Sequence, residues 1–591
     1  MEDFVVRFAT VNGTGSASAN GILARALFRC GLSIGPKNMF PSNIQGMPTW
    51  YEIRVNNSGF SSRKEQADLL VSVNRNSIAE DLKGVRSGAF VLYDSTGGFL
   101  PPKREDLQYL ALPMTQLALE AFPTSAKRFN LQNIIYVGAV SALLKIPVQK
   151  VEELIQERYG KKKGVESDLT AFQLGFRYAQ EHFPCPLPFA IEAKEADAEK
   201  ILIEGNYALA LGCLYAGATV VGWYPITPST GLVEHFSALC EKHRKDPDSG
   251  TRRFALIQAE DEMTAIGIVV GAAWNGTRSF TATSGPGFSL MNEILGFAYY
   301  AEIPTVLFNV QRCGPSTGLP TRNQQADLLQ AAYASHGDTK HILLFPSHPE
   351  ECFHFAYLAF DLADRFQTPV IVMTELETAM NEFVSNPLKW DSERQPDRGK
   401  LLRKEEFQQR QKPFFRYTDE DGDGIPYRSL PGDDAKLAYF TRGSGHDRFG
   451  RYTEDASAYA ENMERIAKKF RLLSEKLPAP EWIQCAKPSY NMCVVYFGST
   501  NEAMGEVLAI LNDKGIFVDT LRIRSFPFSK ETQSILNKYK NIVVVEQNRD
   551  AQMKKLLCGE LQLGVNVQSV CFFDGMPLIA EKLAAQIASQ I

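Results

Sequence analysis

The sequence predicts a multidomain α/β protein built from three α/β units with mostly parallel sheets. Length is one reason: 591 residues, at roughly 150 residues per domain, is too long for one compact fold. A second is the alternation of short β-branched runs with helical periodicity, the pattern of βαβ units. The third is punctuation. Pro184, Pro186 and Pro188 run into the charged stretch Glu192–Lys200, and residues 391–480 are polar with few strands. These breaks divide the chain into 1–190, 200–385, 386–485 and 486–591, the third being an irregular connection expected to wrap another domain.

In chain order, Phe4–Val11 reads as a buried strand, Asn20–Cys30 as a helix, and Asp68–Asn74 and Ala89–Asp94 as strands. The first unit is therefore expected to hold a parallel sheet covered by helices. Amphipathic helices follow over Leu107–Glu120 and Val151–Tyr159. The second unit has the clearest strands: Thr219–Trp223, Phe254–Ala259, Arg278–Thr283, Thr305–Val310 and Val370–Thr374. Each ends in a polar or Gly/Pro loop, which in a parallel sheet opens at the carboxyl edge where ligands bind. The third unit has strands at Met492–Tyr496, Phe517–Thr520 and Asn541–Val545.

Composition excludes several classes. Hydrophobic residues at 44% and charged residues at 22% rule out disorder as the dominant state. A net charge of −5 supplies no global basic field, so no nucleic-acid partner is expected. The apolar stretches Ile134–Leu144 and Ile266–Trp274 are too short to span a bilayer. Glu2 and Asp3 stand where a signal peptide carries positive charge, so a cytoplasmic protein without membrane association is expected. The ten cysteines contain no C-x-x-C, and the closest pair, Cys485 and Cys493, is eight apart. No metal centre is expected on this chain alone.

Two glycine-rich segments are ambiguous. Gly13-Thr14-Gly15-Ser16-Ala17-Ser18 lies between a strand and a helix, the setting of a phosphate cradle, but its sixth position is Ser18. A plain β–α turn is an equally good reading. Gly422-Asp423-Gly424 lacks the downstream Asn-Asn pair of a thiamine metal–diphosphate motif. The series Asp419, Asp421, Asp423 lacks the calcium-loop glutamate, with Leu430 at the twelfth position. A solvated acidic turn is expected there.

Four segments at successive strand ends of the second unit carry chemistry. Tyr224-Pro225-Ile226-Thr227-Pro228-Ser229-Thr230 is stiffened by two prolines and presents Thr227. Gln258-Ala259-Glu260-Asp261-Glu262 enters the helix Met263–Ala273, whose Gly267 and Gly271 permit close approach of another backbone. Glu260 and Asp261 serve the helix dipole, whereas Glu262 heads the apolar face. Thr283-Ser284-Gly285-Pro286-Gly287 is a turn suited to an anion or a close domain contact. The run from Gln311 to Thr321 sets Arg312 among glycines and hydroxyls, a setting for planar recognition of a carboxylate. A lone loop arginine is usually only solvated; four such segments on one sheet argue for a site.

Y-P-I-T-P-S, Q-x-E-D-E, T-S-G-P-G and V-Q-R-x-G-P-S-T-G-x-P-T, in this order, resemble the α chain of the 2-oxoacid:ferredoxin oxidoreductases. The resemblance is strong over Ile201–Thr374 and looser in the C-terminal unit. The first unit resembles that family's γ domain fused ahead of the α domain, with Phe40-Pro41-Ser42-Asn43-Ile44-Gln45-Gly46 where the γ domain has a Gly-rich segment and its usual G-x-G-G-Q-G degraded at 13–18. It implies a thiamine-pyrimidine-binding-like central domain and a transketolase-C-like last domain. It further implies thiamine diphosphate shared with a β subunit carrying Mg2+ and a 4Fe-4S cluster, coenzyme A as co-substrate, ferredoxin as electron carrier, and an (αβ)2 assembly inactive without β. By the same resemblance Glu262 hydrogen-bonds N1′ of the aminopyrimidine, Tyr224, Pro225 and Ile226 line the cofactor, and Arg312, Thr227 and Thr321 bind the 2-oxoacid. The fusion and the Phe40–Gly46 segment favour 2-oxoglutarate, converted to succinyl-CoA and CO2, over pyruvate and branched-chain 2-oxoacids. A NAD- and lipoamide-linked thiamine component and a non-catalytic coenzyme A- or nucleotide-binding scaffold remain as alternatives.

Overall fold

The computed structural model describes residues 3–42, 46–124, 128–159, 164–410, 412–486 and 491–591. Residues 43–45 of the Phe40–Gly46 segment lie outside that set. The first sheet contains β1 (Asp3–Val11), β2 (Ile34–Met39), β3 (Pro48–Asn56), β4 (Ala67–Ser72), β5 (Val85–Asp94) and β6 (Gln108–Leu112), in the order β2-β3-β1-β4-β5-β6. β1, β4, β5 and β6 are parallel, but β3 is antiparallel to both β1 and β2. The first sheet is thus mostly parallel, as expected, with β3 as its antiparallel member. Only residues 40–47 separate β2 from β3, too few for the crossover of a dozen or more residues that a parallel pair needs. The helix expected over Leu107–Glu120 is corrected: β6 occupies its first part, and the helix Met114–Ala121 begins only after Pro113. Leu110 and Leu112 are buried while Tyr109 and Ala111 are only half-buried, so the local period is two.

The ribbon of β7 (Ile201–Glu204) and β14 (Glu382–Ser385) borders the central unit. Its main sheet runs β18-β12-β13-β11-β10-β8-β9, from β8 (Val220–Trp223), β9 (Ala255–Gln258), β10 (Ser279–Thr283), β11 (Thr305–Gln311), β12 (Ile342–Leu344) and β13 (Pro369–Glu375). These six strands are parallel. The third sheet is β15-β17-β16-β19-β20, from β15 (Glu481–Ile483), β16 (Met492–Phe497), β17 (Asp519–Ile523), β19 (Asn541–Glu546) and β20 (Asn566–Cys571). β18 (Ser525–Phe526) leaves it to pair antiparallel with β12, joining the last unit to the central sheet. No described helix is long and apolar enough to cross a membrane.

Residues 386–485 are largely irregular but anchored. Their long helix Ala456–Leu473 is capped by Asp455, whose side chain accepts from the Ala458 N–H at 2.9 Å. Arg465 and Lys469 of that helix grip Glu302 at 2.5 and 2.7 Å. Burial pushes the Glu302 carboxyl up, but these two cations outweigh it and hold it far below the carboxylate range.

Buried ion pairs knit the units. Lys37 lies 2.5 Å from Glu377 and 2.7 Å from Glu502, Arg54 binds Glu506 at 2.7 Å, and Arg522 binds Glu351 at 2.6 Å. Against the burial that would raise them, their arginine partners bring Glu351 and Glu506 down to about 2. An unfolded Glu titrates near about 4.3, so the folded state binds these protons less readily. Their stabilisation is present above that value and is lost as pH falls toward 2. The urea midpoint is expected to be nearly constant down to about pH 5 and to drop steeply by about pH 3. A midpoint flat through that window would show that these pairs contribute nothing.

Candidate active site

Because β8 to β11 and β13 are parallel neighbours, the loops after them converge on one sheet edge. Asp261 is the N-cap of the helix Glu262–Trp274, its side chain accepting from the Thr264 N–H at 2.7 Å. That bond holds the Asp261 carboxyl below its ordinary value, and the residue serves the helix end. Glu262, the first residue of the helix, is 7% exposed. Its side chain lies against Gly287, where a Cβ would stand 2.6 Å from Glu262 Cγ and Oε1 and would collide with Thr283 Oγ1. Only glycine fits there.

The same turn approaches a second carboxyl group. A Cβ on Gly285 would be 3.1 Å from Asp327 Oδ2. Asn309 Nδ2 donates to Asp327 at 3.0 Å, and the Asp327 N–H donates to Gln311 Oε1 at 3.1 Å. Burial raises the Asp327 pKa, opposed by Asn309 and the Arg312 charge. The turn Thr283–Gly287 therefore runs between two carboxyl side chains, Glu262 and Asp327.

Arg312, 7% exposed, joins the loop after β11 to the loop after β8: its Nη1 donates to the Thr227 carbonyl at 2.7 Å. Its Nε is buried without a hydrogen-bond partner among the described residues, and burial lowers the guanidinium pKa. Arg312 and Asp327 line a cleft of 520 Å³, completed by the Gly314–Ser316 loop and by Asn548 and Arg549 of the last unit. Thr321 engages a different arginine. Arg322 Nη1 donates to its carbonyl at 2.8 Å and its hydroxyl at 3.4 Å, and also to the Phe40 carbonyl at 2.9 Å.

Around Glu262 the surface is apolar and uncovered. Tyr224, Ile257, Met263 and Leu290 are 38% to 50% exposed, Pro225 is exposed and Ile226 half-buried. On the same helix, Cβ atoms placed on Gly267 or Gly271 would meet nothing within 4 Å.

No sequence motif singles out Asp327, Asn309, Glu375 or Glu377. Burial pushes Glu375 up to about 8 and Glu377 up to about 7. A usable signal exists for Asn309 and Gln311: polar side chains inside a strand that is buried throughout need partners. At the acidic turn, Lys400 reaches Asp423 at 2.8 Å and also binds Asp421, while Lys468 lies 3.3 Å from Asp419. Lysines occupy that cluster, in keeping with a solvated acidic turn.

Two family descriptions match the chain. "Pyruvate ferredoxin/flavodoxin oxidoreductase" covers residues 5–178, and "Pyruvate flavodoxin/ferredoxin oxidoreductase, thiamine diP-bdg" covers residues 211–420. Fold and site together thus define a subunit of a thiamine diphosphate-binding oxidoreductase. Subunit alpha of 2-oxoacid:ferredoxin oxidoreductase 2 from Aeropyrum pernix is 29% identical over 99% of this chain and 97% of its own. The 2-oxoglutarate synthase subunit KorA of Methanothermobacter thermautotrophicus is 33% identical over 59% of this chain and 88% of its own. The solved 2-oxoglutarate:ferredoxin oxidoreductase from Magnetococcus marinus, 24% identical, superposes over the full length of both chains with a TM-score of 0.88 and shows the same fold. The chain belongs to the α subunits of the 2-oxoacid:ferredoxin oxidoreductases.

Proposed function

We propose that this chain, with a β subunit, interconverts 2-oxoglutarate, coenzyme A and oxidised ferredoxin with succinyl-CoA, CO2 and reduced ferredoxin, as a cytoplasmic (αβ)2 enzyme. The observation that carries this reading is a buried carboxylate, Glu262, at the head of a helix whose outer face of Met263, Gly267 and Gly271 has nothing packed on it among the described residues. A catalytic group beside an uncovered apolar surface is half of a shared site. The choice of 2-oxoglutarate is supported by the KorA relatives and by the Magnetococcus marinus enzyme, which was solved with 2-oxoglutarate, coenzyme A and succinyl-CoA bound.

The residues fit thiamine diphosphate: the Gly287 cradle holds Glu262 in a fixed place, and Arg312 Nε has no partner among the described residues. When bound, the cofactor supplies an electron sink for decarboxylation. Glu262 holds a proton toward the pyrimidine nitrogen N1′, with Tyr224, Pro225 and Ile226 as the adjoining wall. Arg312 binds the substrate carboxylate, pre-oriented by its bond to the Thr227 carbonyl. The Thr227 and Thr321 hydroxyls donate to the carboxylate or keto oxygen. Mg2+ and the 4Fe-4S cluster are assigned to the β subunit, and coenzyme A takes the acyl group.

Substrate choice is tested by ferredoxin reduction on the co-expressed pair: kcat/KM is expected to be highest for 2-oxoglutarate, and a preference for pyruvate or a branched-chain 2-oxoacid would overturn it. Arg312→Ala is expected to raise KM and lower kcat/KM by about 10–100-fold. An unchanged KM for every 2-oxoacid would remove Arg312 from the substrate site. Gly267→Leu should abolish co-elution with the β subunit while leaving the melting temperature of the free α chain unaltered, because the position faces open space. Normal assembly would place the partner elsewhere.

A further inference from the structure

We propose that Asp327 is a second charged group of the substrate cleft, placed to compete with the 2-oxoacid carboxylate for Arg312 and so to favour departure of that carboxylate as CO2. This role deepens the proposed function and rests on the assignment of Arg312 to the substrate carboxylate. Asp327 immediately precedes the short helix Leu328–Ala332, but its side chain makes no capping bond there. Its two carboxyl oxygens lie instead against Gly285, 3.1 and 3.2 Å from where a Cβ would stand. The residue lines the same 520 Å³ cleft as Arg312. Asn309 Nδ2, at 3.0 Å, is the one side-chain donor to it among the described residues. A single neutral donor is little compensation for a buried carboxylate.

The second observation is that the two charges are reciprocal. Among the described residues, Arg312 is the one cation whose field opposes burial at Asp327, and Asp327 is the one anion whose field does so at Arg312. No hydrogen bond joins them within that set. The guanidinium uses Nη1 on the Thr227 carbonyl at 2.7 Å, and its buried Nε has no partner there. Arg312 therefore feels a fixed anion while keeping a donor free for a second one.

A substrate carboxylate that docks on Arg312 enters the field of Asp327. Two anions then share one guanidinium in a partly desolvated cleft, where like charges repel far more than in water. In the decarboxylation the C1–C2 bond breaks, its electron pair stays with C2 and is drawn into the bound cofactor, and C1 leaves as neutral CO2. The repulsion ends with that step, and Arg312 returns to Asp327 as its counter-ion. Asp327 thus weakens binding of the ground state more than binding of the transition state, which raises kcat.

The test is Asp327→Asn in the assembled pair of α and β subunits, a change that keeps the shape and an acceptor for Asn309 but removes the charge. KM for 2-oxoglutarate and kcat are both expected to fall, each by about 10-fold. Calorimetric titration with 2-hydroxyglutarate, which keeps the carboxylate but cannot lose it, should show binding about 10-fold tighter than to the parent. A purely structural role would weaken binding, not tighten it. Arg312→Ala is titrated in parallel. If it leaves the 2-hydroxyglutarate Kd unchanged, the assignment of Arg312 fails and this role with it. If Arg312→Ala weakens binding while Asp327→Asn leaves Kd unchanged or raises it, the role of Asp327 alone is overturned. Tighter binding with an undiminished kcat would overturn it as well. Should Asp327→Asn fail to assemble, Asp327→Ser, also uncharged and smaller, is judged by the same constants.

Discussion

Glu262→Gln is expected to lower 2-oxoacid-dependent ferredoxin reduction by about 10²–10⁴-fold, the contribution of a positioned acid–base group, while the complex with the β subunit still assembles. Glutamine has the same shape, so the close fit against Gly287 and the exposed neighbour Met263 are undisturbed. What it loses is the ability to hold an exchangeable proton at the carboxylate oxygens. The loss should fall on kcat, with KM for the 2-oxoacid nearly unchanged, because the proposed role puts the carboxylate against the cofactor and not the substrate. Turnover is measured on the purified pair, and assembly by size-exclusion chromatography. A variant that turns over within a few-fold of the parent would take Glu262 out of the chemistry.

The second large effect concerns stability. Glu302→Ala should cost about 3–5 kcal/mol, because it leaves Arg465 and Lys469 buried beside no carboxylate. Lys469 is fully buried, and burial already brings its ammonium down to about 8 despite Glu302. Without Glu302 the helix Ala456–Leu473 should detach first, since these two ion pairs leave only longer bonds, such as Lys469 to the Gln367 carbonyl at 3.3 Å, to tie it to the central unit among the described residues. Amide hydrogen exchange is expected to rise throughout that helix, together with a lower urea midpoint. A shift of less than about 1 kcal/mol would mean that water or a rearranged partner replaces Glu302.

Much of this is legible in the amino-acid sequence. The central strands stand within a residue or two of their sequence positions, because β-branched runs bounded by Gly and Pro leave little choice of boundary. Asp261, assigned to the helix dipole, is the side-chain cap of that helix, a role that depends only on residues three apart. The first sheet was harder. β2 contains Pro36 and Lys37 and shows no hydrophobic run, and the Tyr109–Leu112 run of the edge strand β6 suits a helix as well; their membership follows from pairing with β3 and β5.

The class of protein, the sheet edge that carries the motifs and the residues worth testing were written in the chain itself, because each motif is contiguous and each strand-to-loop transition is decided by local chemistry. The pairing of Arg312 with a backbone carbonyl 85 residues away, the seat of Asp327 against Gly285, and the clasp between Glu302 and a helix 163 residues later were not. Such contacts depend on which strands become neighbours and how closely backbones pass. Those distances are set by the packing of the whole molecule, and no run of adjacent residues encodes them.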